Sequence, residues 1–249
     1  MIGRIRYSRK KGKGELTMSQ MGPLTILSAE LYEPKGLSRR RLLRRLARLE
    51  RCLAGRGVGR VILPEGFPYG EALTRLRPVE TLPFYRAVAD VLARGALEGM
   101  GVPENMGRVA LSAPWLCPEL KGAAERLCPR VRELVIDVPE EGEGFAQWLH
   151  VRYGLPVTPT DVKAHVTVAF GPTERSGDGR TLRLYGRKAD LNGLTLSAPE
   201  LALPPDFGQP ALALLWEAGC LTREGLKVLD STTISGQTLA KDGALWYNY

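Results

Sequence analysis

The spacing of apolar positions divides the chain into short alternating elements. An apolar run from Leu24 to Leu31 precedes a stretch from Ser38 to Leu53 in which Leu42, Leu46, Leu49 and Leu53 recur at spacings of four, three and four. That period marks one buried face of a helix. Ser38 stands at the expected N-cap, and Gly55 and Gly57 stand where the helix should stop. Val58 to Leu63, closed by Pro64, then reads as a second strand, so the segment predicts a β-α-β unit with a right-handed crossover and parallel strands. A turn-rich loop follows, then a shorter helix from Glu71 and a long one from Leu82 to Met100, with Phe84, Val88, Val91, Leu92 and Leu97 as its apolar positions.

The second half alternates again. It reads as strand Arg108 to Ser112, helix Pro118 to Leu127, strand Val131 to Asp137, helix Gly144 to Tyr153, and strands Leu155 to Thr158 and His165 to Phe170. Two consecutive β-α-β crossovers are the mononucleotide-binding half of a doubly wound sheet. Beyond Gly171 come a Ser176-Gly177-Asp178-Gly179 turn, a strand Thr181 to Tyr185, apolar pieces around Leu194 and Leu201, and a helix Pro210 to Ala218. The fold class expected is α/β: a Rossmann-like parallel sheet with helices on both faces, preceded by a smaller α/β lobe. The divisions expected are a basic extension over 1–22, a first lobe with its joining helix over 23–102, the Rossmann-like domain over 103–230 and a tail over 231–249.

Composition narrows this picture. With 249 residues, 44% hydrophobic and 25% charged, the chain is globular and neither disordered nor fibrous. No apolar run reaches signal-peptide or membrane-spanning length, which points to a cytoplasmic protein with no membrane partner. Cys52, Cys117, Cys128 and Cys220 are scattered without a C-x-x-C pair, the pattern of reduced thiols, and neither a disulfide nor a cysteine-based metal site is expected. The net charge of +8 gathers in Arg4, Arg6, Arg9, Lys10, Lys11 and Lys13, and in Arg39, Arg40, Arg41, Arg44, Arg45, Arg48 and Arg51. The intervals between the helical arginines suggest charge spread around most of the exposed face. Met18 and Met21 precede the first strand read here, so either of them, as well as Met1, is a candidate start.

From Phe84 to Gly171 the layout resembles the joining helix and NAD(P)-binding domain of shikimate dehydrogenase-like and amino-acid dehydrogenase-like proteins. Val109-Ala110-Leu111-Ser112 stands for the first strand, Glu133-Leu134-Val135-Ile136-Asp137 for the second and Ala164 to Phe170 for the later one. The chain is also similar to uncharacterised proteins of spore-forming anaerobic bacteria. The resemblance implies a dinucleotide on the turn after the first strand. Here that turn reads Ser112-Ala113-Pro114-Trp115-Leu116-Cys117-Pro118 in place of Gly-x-Gly-x-x-Gly. Proline removes amide donors and tryptophan adds bulk where bare backbone must meet a pyrophosphate. A degenerate cofactor site is therefore expected, with no cofactor as the leading reading and NAD(P) as the alternative. In that alternative Ser112 and Ala113 would face the phosphates and Asp137 the ribose.

Other chemistry is sparse. His150 and His165 are the two histidines and read as structural, so no triad or histidine metal site is assembled. No catalytic residue is assigned. The loop Glu65-Gly66-Phe67-Pro68-Tyr69 lies at the carboxyl end of a strand, where open α/β sheets bind ligands. Glu65, Phe67 and Tyr69 are its candidate ligand residues, in a cleft between the lobes. The function expected is recognition of a small molecule or a protein partner by a catalytically degenerate Rossmann-like protein. The alternatives are an NAD(P)-dependent oxidoreductase with an atypical turn, and a nucleic-acid-binding protein using the basic tail and the arginine-rich helix.

Overall fold

The computed structural model describes residues 1–8, 16–34, 36–154, 163–172, 179–201, 203 and 207–230. The chain forms two compact units, one of Met1–Thr81 with Glu200–Thr222 and one of Leu82–Pro199 with Arg223–Tyr249. The architecture is α/β: parallel sheets with helices on both faces.

The first unit begins with β1 (Ile2–Ser8), β2 (Thr17–Met21), β3 (Leu24–Tyr32), α1 (Arg39–Ala54), β4 (Arg60–Ile62) and β5 (Arg77–Pro78). Its sheet runs β2-β3-β1-β4-β5. All neighbours are parallel except the β2-β3 hairpin. The described part of residues 1–22 is thus not an extension: β1 is the central strand, and Ile5 is buried among Leu27, Leu31, Leu42, Leu46 and Leu53. Period-two alternation explains both faces. Ile5 faces the leucine stripe of α1, and Arg4 faces the other side, where its guanidinium lies 4.0 Å from the Phe207 ring at the start of the returning helix. A start at Met18 or Met21 would remove β1.

The second unit opens with α2 (Leu82–Ala87) and α3 (Ala89–Gly99), followed by β6 (Arg108–Ser112), α4 (Pro118–Leu127), β7 (Glu133–Asp137), α5 (Gly142–Tyr153), β8 (Val166–Ala169), β9 (Arg180–Arg183) and β10 (Leu194–Ser197). The returning helix of the first unit is α6 (Gly208–Glu217), and β11 (Lys227–Asp230) completes the second. The sheet order is β7-β6-β8-β9, parallel throughout. Because α4 follows a step one way across the sheet and α5 a step the other way, right-handed crossovers place them on opposite faces.

Several boundaries differ from the sequence reading. The single helix expected over 82–100 breaks at Val88, whose φ of −111° and ψ of 26° leave the helical region. Both pieces pack with α4 in the second unit, so the division falls before Leu82 and not after residue 102. The helix expected from Glu71 is one 3₁₀ turn, Gly70–Ala72. The amides beyond it are taken by a side chain: Glu50 Oε1 accepts from Thr74, Arg75 and Leu76 at 2.7, 2.5 and 3.1 Å. Ser38 occupies the N-cap position without a side-chain hydrogen bond. β10 and β11 pair antiparallel, and Val228 packs on Gly95 of α3, where a Cβ would lie 2.2 Å from it. Arg180 and Asp230 form an ion pair whose side chains are largely buried, fixing the ribbon to β9. The strand expected at Leu155 to Thr158, most of the Ser176–Gly179 turn and the tail from 231 lie outside the described residues.

Candidate functional site

In each unit the strand order reverses beside the first strand, at β1/β4 and at β6/β8. Open α/β sheets bind ligands outside the carboxyl ends of the strands at such points. The two edges differ in what they present.

At the second edge the sequence-predicted residues converge. Ser112 and Asp137 are register partners across β6 and β7. The turn between them and α4 is closed by its own bonds. The Ala113 amide donates to the Asp137 carbonyl at 3.1 Å, the Phe170 amide to the Ser112 carbonyl at 2.8 Å and the Cys117 amide to the Trp115 carbonyl at 3.0 Å. The Leu116 amide donates to the Glu141 carboxylate at 3.1 Å. Pro114 and Pro118 have no amide to give. Arg86 caps the neighbouring strand ends, with Nε donating to the Leu184 carbonyl at 2.8 Å and Nη2 to the Phe170 carbonyl at 2.5 Å. A pyrophosphate needs several uncommitted amides at this turn and no competing carboxylate. The residues present do not fit that group.

Cys117 sits at the N-terminus of α4, where a thiol is ordinarily acidified. Burial, aided by the Glu119 carboxylate, instead pushes its pKa up, against the opposing pull of the Leu120 amide and Arg86.

At the first edge a crevice of about 410 Å³ opens between β1 and β4. It exists because the strands differ in length: β4 ends at Ile62, the partner of Arg4, while β1 continues beside β3 to Ser8. Arg4, Arg6, Tyr7, Glu30, Leu63 and Pro64 are among its walls. Arg4 is buried, and Arg6 lies 3.3 Å from Glu30.

The predicted loop supports this crevice from outside. Phe67 lies 5.5 Å from the Tyr7 ring and 5.8 Å from Tyr69, and both loop aromatics pack against the first unit's core. Glu65 is exposed. Burial of Tyr7, then the charge of Glu33 and the nearby Tyr69, push its phenol up to about 12, so the hydroxyl stays a donor through the neutral range. Sequence reasoning missed Arg4, Arg6, Tyr7 and Glu30 because the cluster of positive charge after Ser8 hid the alternation Gly3, Ile5, Tyr7 that marks a strand.

No protein-family model matches the chain, and no curated protein matches it. Among solved structures it is similar to L-tryptophan dehydrogenase from Nostoc punctiforme, at 14% identity and a TM-score of 0.30, over 58% of this chain and 44% of that one. The chain thus spans less than half the length of that enzyme. The α/β assignment rests on the sheet orders given above. Among the described residues no helix is long and apolar enough to cross a membrane.

Proposed function

We propose that this protein recognises a small anionic ligand at the carboxyl edge of its first sheet, and that the turn after β6 is a degenerate cofactor site. The observation that carries the reading is the crevice between β1 and β4, at the point where strand order reverses. Arg4 and Arg6 bring two guanidinium groups to it, and the protonated Tyr7 adds a neutral donor. Arginine forks suit carboxylate and phosphate oxygens. The reading is of binding.

The test is titration of the protein with inorganic phosphate, AMP and NADH, followed through backbone amide shifts. Shifts centred on Tyr7, Ser8 and Leu63, abolished by Leu63→Trp and unchanged by Asp137→Ala, are expected. Shifts centred on Ser112 to Leu116 and lost with Asp137→Ala would overturn the reading in favour of dinucleotide binding at the second edge. Silence from all three probes would remove the anionic class.

A further inference from the structure

The α1 helix carries seven arginines and a single acid, Glu50. Glu50 is buried and accepts three backbone amides, so it neutralises none of them on the surface. Arg45 is engaged, donating to the Tyr32 carbonyl at 2.8 Å and lying over the Tyr32 ring, and Arg51 turns back to the Ala47 carbonyl at 3.4 Å. Arg39, Arg40, Arg41, Arg44 and Arg48 are exposed, and among the described residues none of them forms an ion pair or side-chain hydrogen bond.

Their placement opposes the needs of the helix itself. The first turn holds Arg39, Arg40 and Arg41 and no acid, at the end where the helix dipole is positive and cations are destabilising. A solvated face serving only the fold would carry acids there and gather its arginines near the C-terminus. The seven arginines reach around most of the exposed surface, but five of them share one sector. At about 100° per residue, Arg40, Arg41, Arg44, Arg48 and Arg51 fall within a sector of about 100°. That sector lies opposite the stripe of Leu42, Leu46 and Leu53, and Arg40, Arg44 and Arg48 follow one another at a rise of about 6 Å.

The chemistry of the face selects its partner. A bilayer would take an amphipathic helix by its apolar side, but Leu42, Leu46 and Leu53 are buried in the core of the first unit. Single strands are held by aromatic stacking, and α1 contains no aromatic residue. It also contains no asparagine or glutamine to read adenine edges. What remains is a row of guanidinium groups on a helix of a width that enters a major groove, suited to phosphate oxygens.

We propose that the Arg40, Arg44 and Arg48 face of α1, flanked by Arg41 and Arg51, binds the phosphate backbone of double-stranded nucleic acid. The surface is separate from the crevice between β1 and β4 and does not depend on a ligand there.

The experiment is fluorescence anisotropy of the full chain with a labelled duplex of arbitrary sequence, over a range of salt. The wild type is compared with Arg40→Gln/Arg44→Gln/Arg48→Gln and with a charge-matched control, Lys121→Gln/Arg152→Gln/Lys188→Gln, all three exposed positions of the second unit. The control should bind as the wild type does. The helix variant should bind at least tenfold more weakly at moderate salt, and its log-log salt slope should be shallower by about 3, one counterion per lost contact. Thermal melting of each variant confirms that it is folded. Absence of duplex binding by the wild type at low salt, an equal loss in the control, or tighter binding to oligo-dT or to phosphatidylserine vesicles than to duplex would each overturn the proposal.

Discussion

Gly171 lies directly against Pro114. A Cβ on Gly171 would stand 2.4 Å from Pro114 Cδ and 2.9 Å from Cγ, so the loops leaving β8 and β6 touch where a ligand crevice would otherwise open. A proline ring cannot move aside like the end of a flexible side chain, and added bulk in such a contact costs about 1–3 kcal/mol. Gly171→Ala is expected to lower stability by that amount in urea denaturation. Pro114→Ala in the same background should restore most of the loss, and a double variant no better than the single one would refute the contact.

Glu50 joins α1 to the segment at 74–76 through three amides on one buried oxygen. Bonds to a charged acceptor contribute more than neutral ones, and removing the acceptor leaves the buried Leu76 amide unsatisfied. Glu50→Ala should destabilise by about 2–4 kcal/mol, and Glu50→Gln by less because one amide oxygen remains. Limited proteolysis should find new cleavage around Thr74 in the alanine variant; unchanged protection there would show that the segment is held by other contacts.

The raised phenol of Tyr7 sets a direction for alkaline stability. An unfolded tyrosine loses its proton near 10.0, whereas the folded Tyr7 holds it to about 12. The folded state therefore binds more protons between those values, and stability should fall as pH climbs through that window while staying flat below it. Tyr7→Phe should remove this component. The difference in ultraviolet phenolate absorbance between wild type and variant should place the Tyr7 titration near the top of the window; a midpoint near 10 would contradict the desolvation of the phenol.

The cysteines should separate into two pairs. Cys52 and Cys220 are exposed, whereas Cys117 and Cys128 are buried, and burial, with the charge of Glu125, pushes Cys128 up to about 11. The thiolate is the reactive form. Iodoacetamide at neutral pH should modify Cys52 and Cys220 first, and all four only after unfolding. Rapid labelling of Cys117 would mean that the helix N-terminus outweighs burial and Glu119.

The sequence by itself determined the alternating α/β plan, the leucine stripe of α1 and the altered turn after β6. These are local matters: a period of apolar residues reports its own element, and prolines remove amides wherever they fall. It did not reveal that Ile2–Ser8 form a sheet centre, because the cluster of positive charge that follows Ser8 in the sequence reads as a basic extension. Nor did it show that the helix over 82–100 breaks at Val88, or that the chain returns at α6 to the first unit. Those features depend on partners far away in sequence. The crevice between β1 and β4 comes from two strands of unequal length lying side by side, the closure of the second edge from Gly171 meeting Pro114, and the isolation of the α1 arginines from Glu50 turning inward. Tertiary structure decided all three, because each is a contact or a gap between elements whose residues, taken one element at a time, carry no sign of it.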